Sequence, residues 1–141
     1  MPYGLKFAII SRAFRKQMDE KASAMGLTSV QLRVLGAISL LEEAKDREVH
    51  QNDFEKMEHV THPAMTKLLQ KLESKGFIKC VPGSEDRRYK KITCTEQSSG
   101  MYKMILKQDE EVLSKLCEGL DDNQIESLNS LVDAILNNIP D

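Results

Sequence analysis

Residues 61–95 constrain the fold more than any other part of the chain, because they place a capped helical pattern directly before two strand-like runs. Thr61 can cap the helix, and Pro63 is tolerated in the first helical turn, where a backbone N–H has no intrahelical partner. Gly76 is the expected end of this helix. The runs "FIKCV" and "KITCT" flank the turn "PGSEDRRYKK" and predict a β-hairpin over residues 77–95.

Two helices are predicted before this segment. Phe7, Ile10, Phe14 and Met18 form one apolar stripe over residues 5–25, which Gly26 ends. Over residues 29–41 a second helix begins after "LTSVQL", whose Thr and Gln have the spacing of a capping box.

Three more helices complete the prediction. "QNDFEKMEH" predicts a short helix with Phe54 and Met57 facing inward, and "TEQSSGMYKMILKQDEEVLSKLCEGL" a long helix from Thr95. In the last helix, Asp121 is the expected cap.

Six helices and a two-stranded hairpin predict a mainly α fold, an α+β winged helix-turn-helix, in a single domain over 1–141. Residues 28–95 form the expected DNA-binding lobe. Residues 1–27 and 96–141 are the helical regions that flank it.

Charge is distributed unevenly in a chain of net charge −2. Eight lysines and arginines lie between His59 and Thr95, against three acidic residues, whereas nine acidic residues and one lysine lie from Asp109 to Asp141. This pattern predicts a face that meets a polyanion; uneven charge on a solvated surface is the alternative.

Major-groove entry requires a helix with a polar outer face and small residues near its N-terminus. The outward positions of the helix after Thr61 fit this requirement, and a cationic hairpin tip suits the phosphate backbone or the minor groove. We expect Asp86 to orient an arginine through an ion pair. The DNA-binding candidates are Thr61, His62, Pro63, Ala64, Thr66, Lys67 and Lys71 on the helix, and Asp86, Arg87, Arg88, Lys90 and Lys91 on the hairpin.

The run "LESKGFIKCVPGSEDRRYKKITCTEQSSG" resembles the wing signature of the MarR family of bacterial transcription regulators, and "THPAMTKLLQKLE" is similar to that family's recognition helix. The resemblance implies a homodimeric regulator that reads a pseudo-palindromic site in double-stranded DNA, with a repressor as the preferred interpretation and an activator as the alternative. The chain departs from the family pattern at Cys80-Val81 and Cys94 in the wing, and at Glu58 and His59 before the helix.

The resemblance also implies that the terminal helices, over residues 1–27 and 96–141, form a dimerisation region. An anionic or phenolic effector is expected between these helices and the DNA-binding lobe, with Phe14, Met18 and Arg33 as candidate pocket residues. The dimerisation candidates are Phe7, Ile10, Phe14, Leu116, Leu120, Ile125, Leu128, Leu131 and Ile135.

Other interpretations remain open. A winged-helix module that binds protein is one alternative, and a redox-responsive regulator using Cys80 and Cys94 is another. A metal pair at His59 and His62 beside Glu58 is a further hypothesis, although no metal site is expected. The sequence contains no recognisable enzyme or cofactor motif, and we expect a protein that is not an enzyme and needs no cofactor. It also contains no apolar run long enough for a membrane span, and we expect a cytoplasmic protein.

Overall fold

The computed structural model describes residues 1–44 and 48–140, in which six helices and a two-stranded antiparallel sheet follow the predicted order. The elements are α1 (Tyr3–Ala24), α2 (Ser29–Ala44), α3 (Asn52–Glu58), α4 (His62–Ser74), β1 (Ile78–Pro82), β2 (Lys90–Cys94), α5 (Met101–Leu116) and α6 (Asp122–Leu136). The predicted fold class is confirmed.

Helix ends lie where local chemistry places them. The backbone φ angles of Gly26 and Gly76, +71° and +81°, allow the chain to leave α1 and α4 through a left-handed conformation. At the start of α2, Gln31 N–H donates to Thr28 Oγ1 at 3.2 Å and Thr28 N–H donates to Gln31 Oε1 at 3.0 Å. These reciprocal bonds are the predicted capping box.

A second capping box begins α6. Asp121 Oδ1 accepts the backbone N–H of Gln124 at 2.9 Å, and Gln124 Oε1 accepts that of Asp121 at 2.9 Å. The predicted cap is therefore confirmed, because both residues satisfy N–H groups that the helix itself leaves unbonded.

The core of the winged-helix region is aliphatic. Helix α2 supplies more of its buried apolar side chains than any other element, and α3, α4 and the sheet close around it. The largest fully buried apolar side chains are Phe54, Leu32, Leu35, Ile38, Met65, Leu72, Ile78 and Ile92.

The hairpin is joined to the rest of the fold along β2. Ile78 pairs with Cys94 and Pro82 with Lys90, and the Ile92 N–H donates to the Val49 carbonyl at 2.9 Å. The segment before α3 therefore runs beside β2 and supports the wing from one side.

The chain divides into two compact units, Met1–Gln108 and Asp109–Asp141. The first contains the helix-turn-helix and the hairpin. Within the second, α6 has no buried residue, and its apolar side chains reach solvent.

Two details of the sequence prediction were wrong. Helix α5 begins at Met101 and not at Thr95, since the buried Ser98 hydroxyl donates to the Phe77 carbonyl and Gly100 has a φ of +82°. These interactions hold the segment in a turn at the base of the hairpin. Met57 was expected to face inward with Phe54, but it is 47% exposed while Phe54 is fully buried.

Within residues 1–44 and 48–140, no single helix has the length and apolarity to cross a bilayer. By length and composition alone, α1 and α2 satisfy the requirement as a pair bent by 85° at their junction.

Candidate nucleic-acid interface

Helix α4 presents a polar face from its first turn. Thr61 lies in an extended conformation, and its hydroxyl accepts the Ala64 N–H at 3.3 Å, which confirms the predicted cap. Met65, Leu69 and Leu72 are buried on the opposite side. Of the sequence-predicted residues, the structure exposes Thr61, His62, Pro63, Ala64, Lys67 and Lys71, and half-buries Thr66.

The beginning of α4 is bonded to α3 through side chains that sequence reasoning did not single out. The Gln51 amide donates to Thr66 Oγ1 at 2.8 Å and to Glu55 Oε1 at 3.0 Å. His62 Nδ1 lies 2.6 Å from the same Glu55 oxygen. These bonds therefore hold α3 and the first turn of α4 together on the exposed side of the helix-turn-helix.

The turn between α3 and α4 uses an unusual residue. His59 has a φ of 52° and caps the C-terminus of α3 in a left-handed conformation, where its N–H bonds to the Glu55 carbonyl. Glu58 is held by Arg33 of α2 through two hydrogen bonds of 3.0 Å, Nε to Oε1 and Nη2 to Oε2. The Glu58 carboxylate also raises the pKa of Arg33.

At the wing tip, Asp86 holds Arg88 in the expected ion pair. Arg88 Nη2 donates to Asp86 Oδ2 at 2.8 Å and Arg88 Nε donates to Oδ1 at 3.1 Å. This guanidinium lowers the pKa of the Asp86 carboxyl. Arg87, Arg88 and Lys90 are exposed, and Lys91 is half-buried. The tip therefore presents several cations, of which Arg88 is held by Asp86.

The wing is also anchored to the segment before α3. Glu48 Oε1 accepts the backbone N–H of Ser84 at 2.9 Å and is also bonded to the Ser84 hydroxyl. These bonds from Ser84 are the main reason that the pKa of Glu48 falls to about 2. The rings of His50 and Tyr89 lie close, with centroids 6.0 Å apart.

Between α4 and the wing lies an open groove of about 480 Å³. Its walls include Thr66 and Gln70 of α4, Arg88 and Lys90 at the hairpin, and His50 before α3. The groove brings the two predicted DNA-binding elements onto one side of the first compact unit.

The wing cysteines have the properties of packing residues. Burial raises the pKa of both thiols to about 11, and Glu73 at Cys80 and Glu42 at Cys94 add to the effect. Cys80 pairs with Ile92 and Ile78 with Cys94, so the two cysteines are diagonal neighbours, at a Cα separation of roughly 7–8 Å that exceeds disulfide geometry. Both observations argue against the redox hypothesis.

A metal site finds no support in the part of the chain that the structure describes. Residues 1–44 and 48–140 contain no cluster of three or more His, Cys, Asp or Glu side chains able to hold a metal ion. At the site proposed for a metal, Glu58 is bonded to Arg33, and His62 is bonded to Glu55.

The effector-pocket candidates lie on α1 and α2. Phe14 and Met18 are half-buried on α1, with Met18 packed against the core, and Arg33 is engaged by Glu58. The pocket therefore stays a prediction.

The dimerisation candidates are largely exposed on their own units. Phe7 and Ile10 of α1 reach solvent in the first unit. In the second, Leu116, Leu120, Leu131 and Ile135 are exposed, and Leu131 retains 63% of its accessible surface. Phe14, Ile125 and Leu128 are half-buried.

Sequence reasoning missed Glu48, Gln51, Glu55 and Ser84. No local pattern could have found the first interaction, because 36 residues separate Glu48 from Ser84. For Gln51 and Glu55, the only signal in the sequence was their spacing of one helical turn.

The chain is similar to known proteins in sequence and in fold. The MarR family model matches residues 25–88. MepR of S. aureus, in a structure of a MepR–DNA complex, is 23% identical over 99% of each chain, with a TM-score of 0.78. The reduced form of MarR from E. coli is 20% identical, covering 96% of this chain and 97% of its own, with a TM-score of 0.78. The transcriptional regulator SlyA is 18% identical over 98% of this chain and 94% of its own, with a TM-score of 0.79. At these identities, the structural likeness establishes the fold.

Proposed function

We propose that the chain, whose residues 25–88 match the MarR family model, is a homodimeric, sequence-specific DNA-binding regulator that represses transcription. In this proposal, residues 28–95 bind DNA, and residues 1–27 and 96–141 join two copies. A small anionic or phenolic effector changes the affinity for the operator.

One observation carries the proposal. The exposed face of α4, with Lys67 and Lys71, shares one compact unit with an exposed cationic wing tip, and the two elements border the same groove. A helix with small and polar residues in its first turn can enter the major groove, while Arg87 and Arg88 reach the backbone or the adjacent minor groove. Lys90 and Lys91 supply phosphate contacts.

Self-association is supported by the unpartnered apolar side chains of the terminal helices. Leu131 and Ile135 on α6 and Phe7 and Ile10 on α1 reach solvent in the single chain, and a second copy would cover them. A two-fold dimer would address half-sites about one helical turn apart, on the order of 10 base pairs, and therefore a pseudo-palindrome. The structural relative MepR is described in complex with DNA.

The test is selection of DNA by the purified protein from a random pool, followed by affinity measurements over a range of salt concentrations. We expect an inverted repeat and a log–log slope of about −0.9 for each phosphate neutralised. Selection of no sequence, with salt-independent binding to a protein partner, would instead favour a winged-helix interaction module and overturn the proposal.

The effector part has its own test. Titration of the operator complex with salicylate as an anionic phenol is expected to release DNA, and Met18→Ala is expected to alter the concentration required. Failure of a panel of anionic and phenolic compounds to change operator affinity would overturn this part and leave DNA binding in place.

A further inference from the structure

The ring of His62 is held in one orientation by α3. Its Nδ1 atom lies 2.6 Å from Glu55 Oε1, and an ionised carboxylate can only accept a hydrogen bond. The Gln51 amide nitrogen lies farther from Nδ1, at 3.1 Å, so we assign to Nδ1 the proton that bonds to Glu55. In the neutral ring, Nε2 is then left as an unprotonated acceptor.

Gln51 completes the support. Its amide has two hydrogens, and its two shortest contacts are with Thr66 Oγ1 at 2.8 Å and Glu55 Oε1 at 3.0 Å. The Thr66 hydroxyl in turn donates to the His62 carbonyl at 3.0 Å. Glu55 is thus tied to both its own helix and the first turn of α4, and cannot rotate away from His62 without breaking a second bond.

The Glu55 carboxylate and the His62 ring that it holds differ in solvent exposure. The Glu55 side chain is 19% exposed, whereas the His62 side chain is 73% exposed. The ring accordingly extends from a partly buried anchor into solvent at the N-terminus of the helix that faces DNA in the proposed function.

We infer that Glu55, assisted by Gln51, is a positioning residue that determines operator preference at one base pair by fixing the tautomer and direction of His62. The inference rests on the proposed function and deepens it. Neutral Nε2 accepts hydrogen bonds, and the major-groove donors are the amino groups of adenine and cytosine. Glu55, on the first helix of the helix-turn-helix, thereby sets a base preference through His62.

The physical reason is preorganisation. An unsupported imidazole interconverts between its two tautomers and between flipped ring orientations. Part of the free energy gained from any base contact would then be offset by the entropic cost of ordering the ring. With Glu55 in place, that order exists before DNA arrives. A good bidentate side-chain pair discriminates against a wrong base by about 5- to 150-fold, and we expect the single Nε2 contact to lie in the lower part of that range.

The experiment measures binding to a set of operators that carries all four bases at each position, in mildly alkaline buffer. For the wild type we expect one position of each half-site at which adenine or cytosine is preferred. His62→Ala removes the preference at that position alone. Glu55→Ala reduces it by about tenfold, and adds nothing in the His62→Ala background.

Conservative variants distinguish positioning from loss of structure. Glu55→Gln keeps an oxygen that can accept from Nδ1 and should retain most of the preference, while Gln51→Met should weaken it at the same position. Glu20→Ala, an exposed acid on α1, is the charge-matched control. Thermal unfolding monitors folding, and if Glu55→Ala does not fold, Gln51→Met decides.

Two results would overturn the inference. One is an unchanged base preference in Glu55→Ala and Gln51→Met. The other is a uniform change at every position, which would indicate an electrostatic or structural effect. Neither result affects the proposed function, which fails only if the wild type selects no operator.

Discussion

The Glu48 carboxylate accepts the backbone N–H of Ser84 at 2.9 Å, and so joins the wing tip to the segment before α3 across 36 residues of sequence. The same carboxylate has its pKa lowered to about 2, mainly through its bonds to Ser84. An acid on the chain before the helix-turn-helix therefore determines where a cationic tip is held.

This anchor should depend on pH in a defined direction. The pKa of Glu48 falls from an ordinary value of 4.5 to about 2, so its contribution to folding is complete above about pH 4.5 and is lost as the pH falls through about 2. We expect the amide resonance of Ser84 to titrate near pH 2 in NMR spectra. A midpoint near the ordinary value would show that the bond does not form.

Glu48→Gln should abolish that titration and shift the Ser84 amide already at neutral pH. Glu85→Gln removes an equal charge from an exposed residue of the same tip and serves as the control. Equal spectra for the two variants would contradict the anchor.

Gly83→Ala should distort the wing tip. A Cβ atom at this position would lie 2.6 Å from the Tyr89 carbonyl oxygen and 2.7 Å from that of Asp86, and backbone atoms cannot move aside as a side chain can. We expect a loss of about 1–3 kcal/mol in the free energy of unfolding, measured by denaturant titration. Gly4→Ala, with open space around its Cβ, should be neutral; comparable losses would refute the close approach.

Arg87→Ala should weaken operator binding and make the log–log salt slope shallower by about 0.9 for each phosphate that the variant no longer neutralises. Arg87 is exposed at the wing tip. Lys103→Ala removes the same charge from an exposed position on α5 and should change neither quantity as much. If the two variants have the same slope, Arg87 does not bind a specific phosphate.

The Arg33–Glu58 pair should stabilise the junction of α2 with α3. Glu58 is 12% exposed and Arg33 40%, so we expect a coupling of about 1 kcal/mol in a double-mutant cycle of alanine variants. Arg33→Ala alone should cost more than Arg12→Ala on the exposed face of α1, because it leaves a nearly buried carboxylate without this partner. A coupling near zero would show that the pair is solvent-screened.

Peroxide should leave operator affinity unchanged. With thiol pKa values of about 11 against an ordinary 9.0, Cys80 and Cys94 have a thiolate fraction about a hundredfold lower than an unperturbed cysteine at neutral pH. Alkylation should accordingly be slow in the native protein and fast after unfolding. Release of DNA by peroxide from the wild type, but not from the Cys80→Ser/Cys94→Ser variant, would restore the redox hypothesis.

Local chemistry made much of the architecture predictable. The reciprocal caps of α2 and α6, the Gly26 and Gly76 ends and the hairpin after α4 each depend on residues a few positions apart. One error arose where a distant interaction overrode the local pattern, since Ser98 bonds to the Phe77 carbonyl and α5 begins later than expected. The other was the side on which Met57 lies, which the packing of α3 decides and its spacing from Phe54 does not.

The sequence by itself determined the order of elements, the polar face of α4 and the excess of cations in the wing, because helix periodicity, capping and turn chemistry act over short spans. Only the tertiary structure decided that Asp86 selects Arg88, that Glu48 holds the wing, and that Glu55 and Gln51 orient His62. Each of these depends on the direction of a side chain after packing. A hydrogen bond requires two atoms within about 3 Å, and sequence spacing alone does not set such a distance.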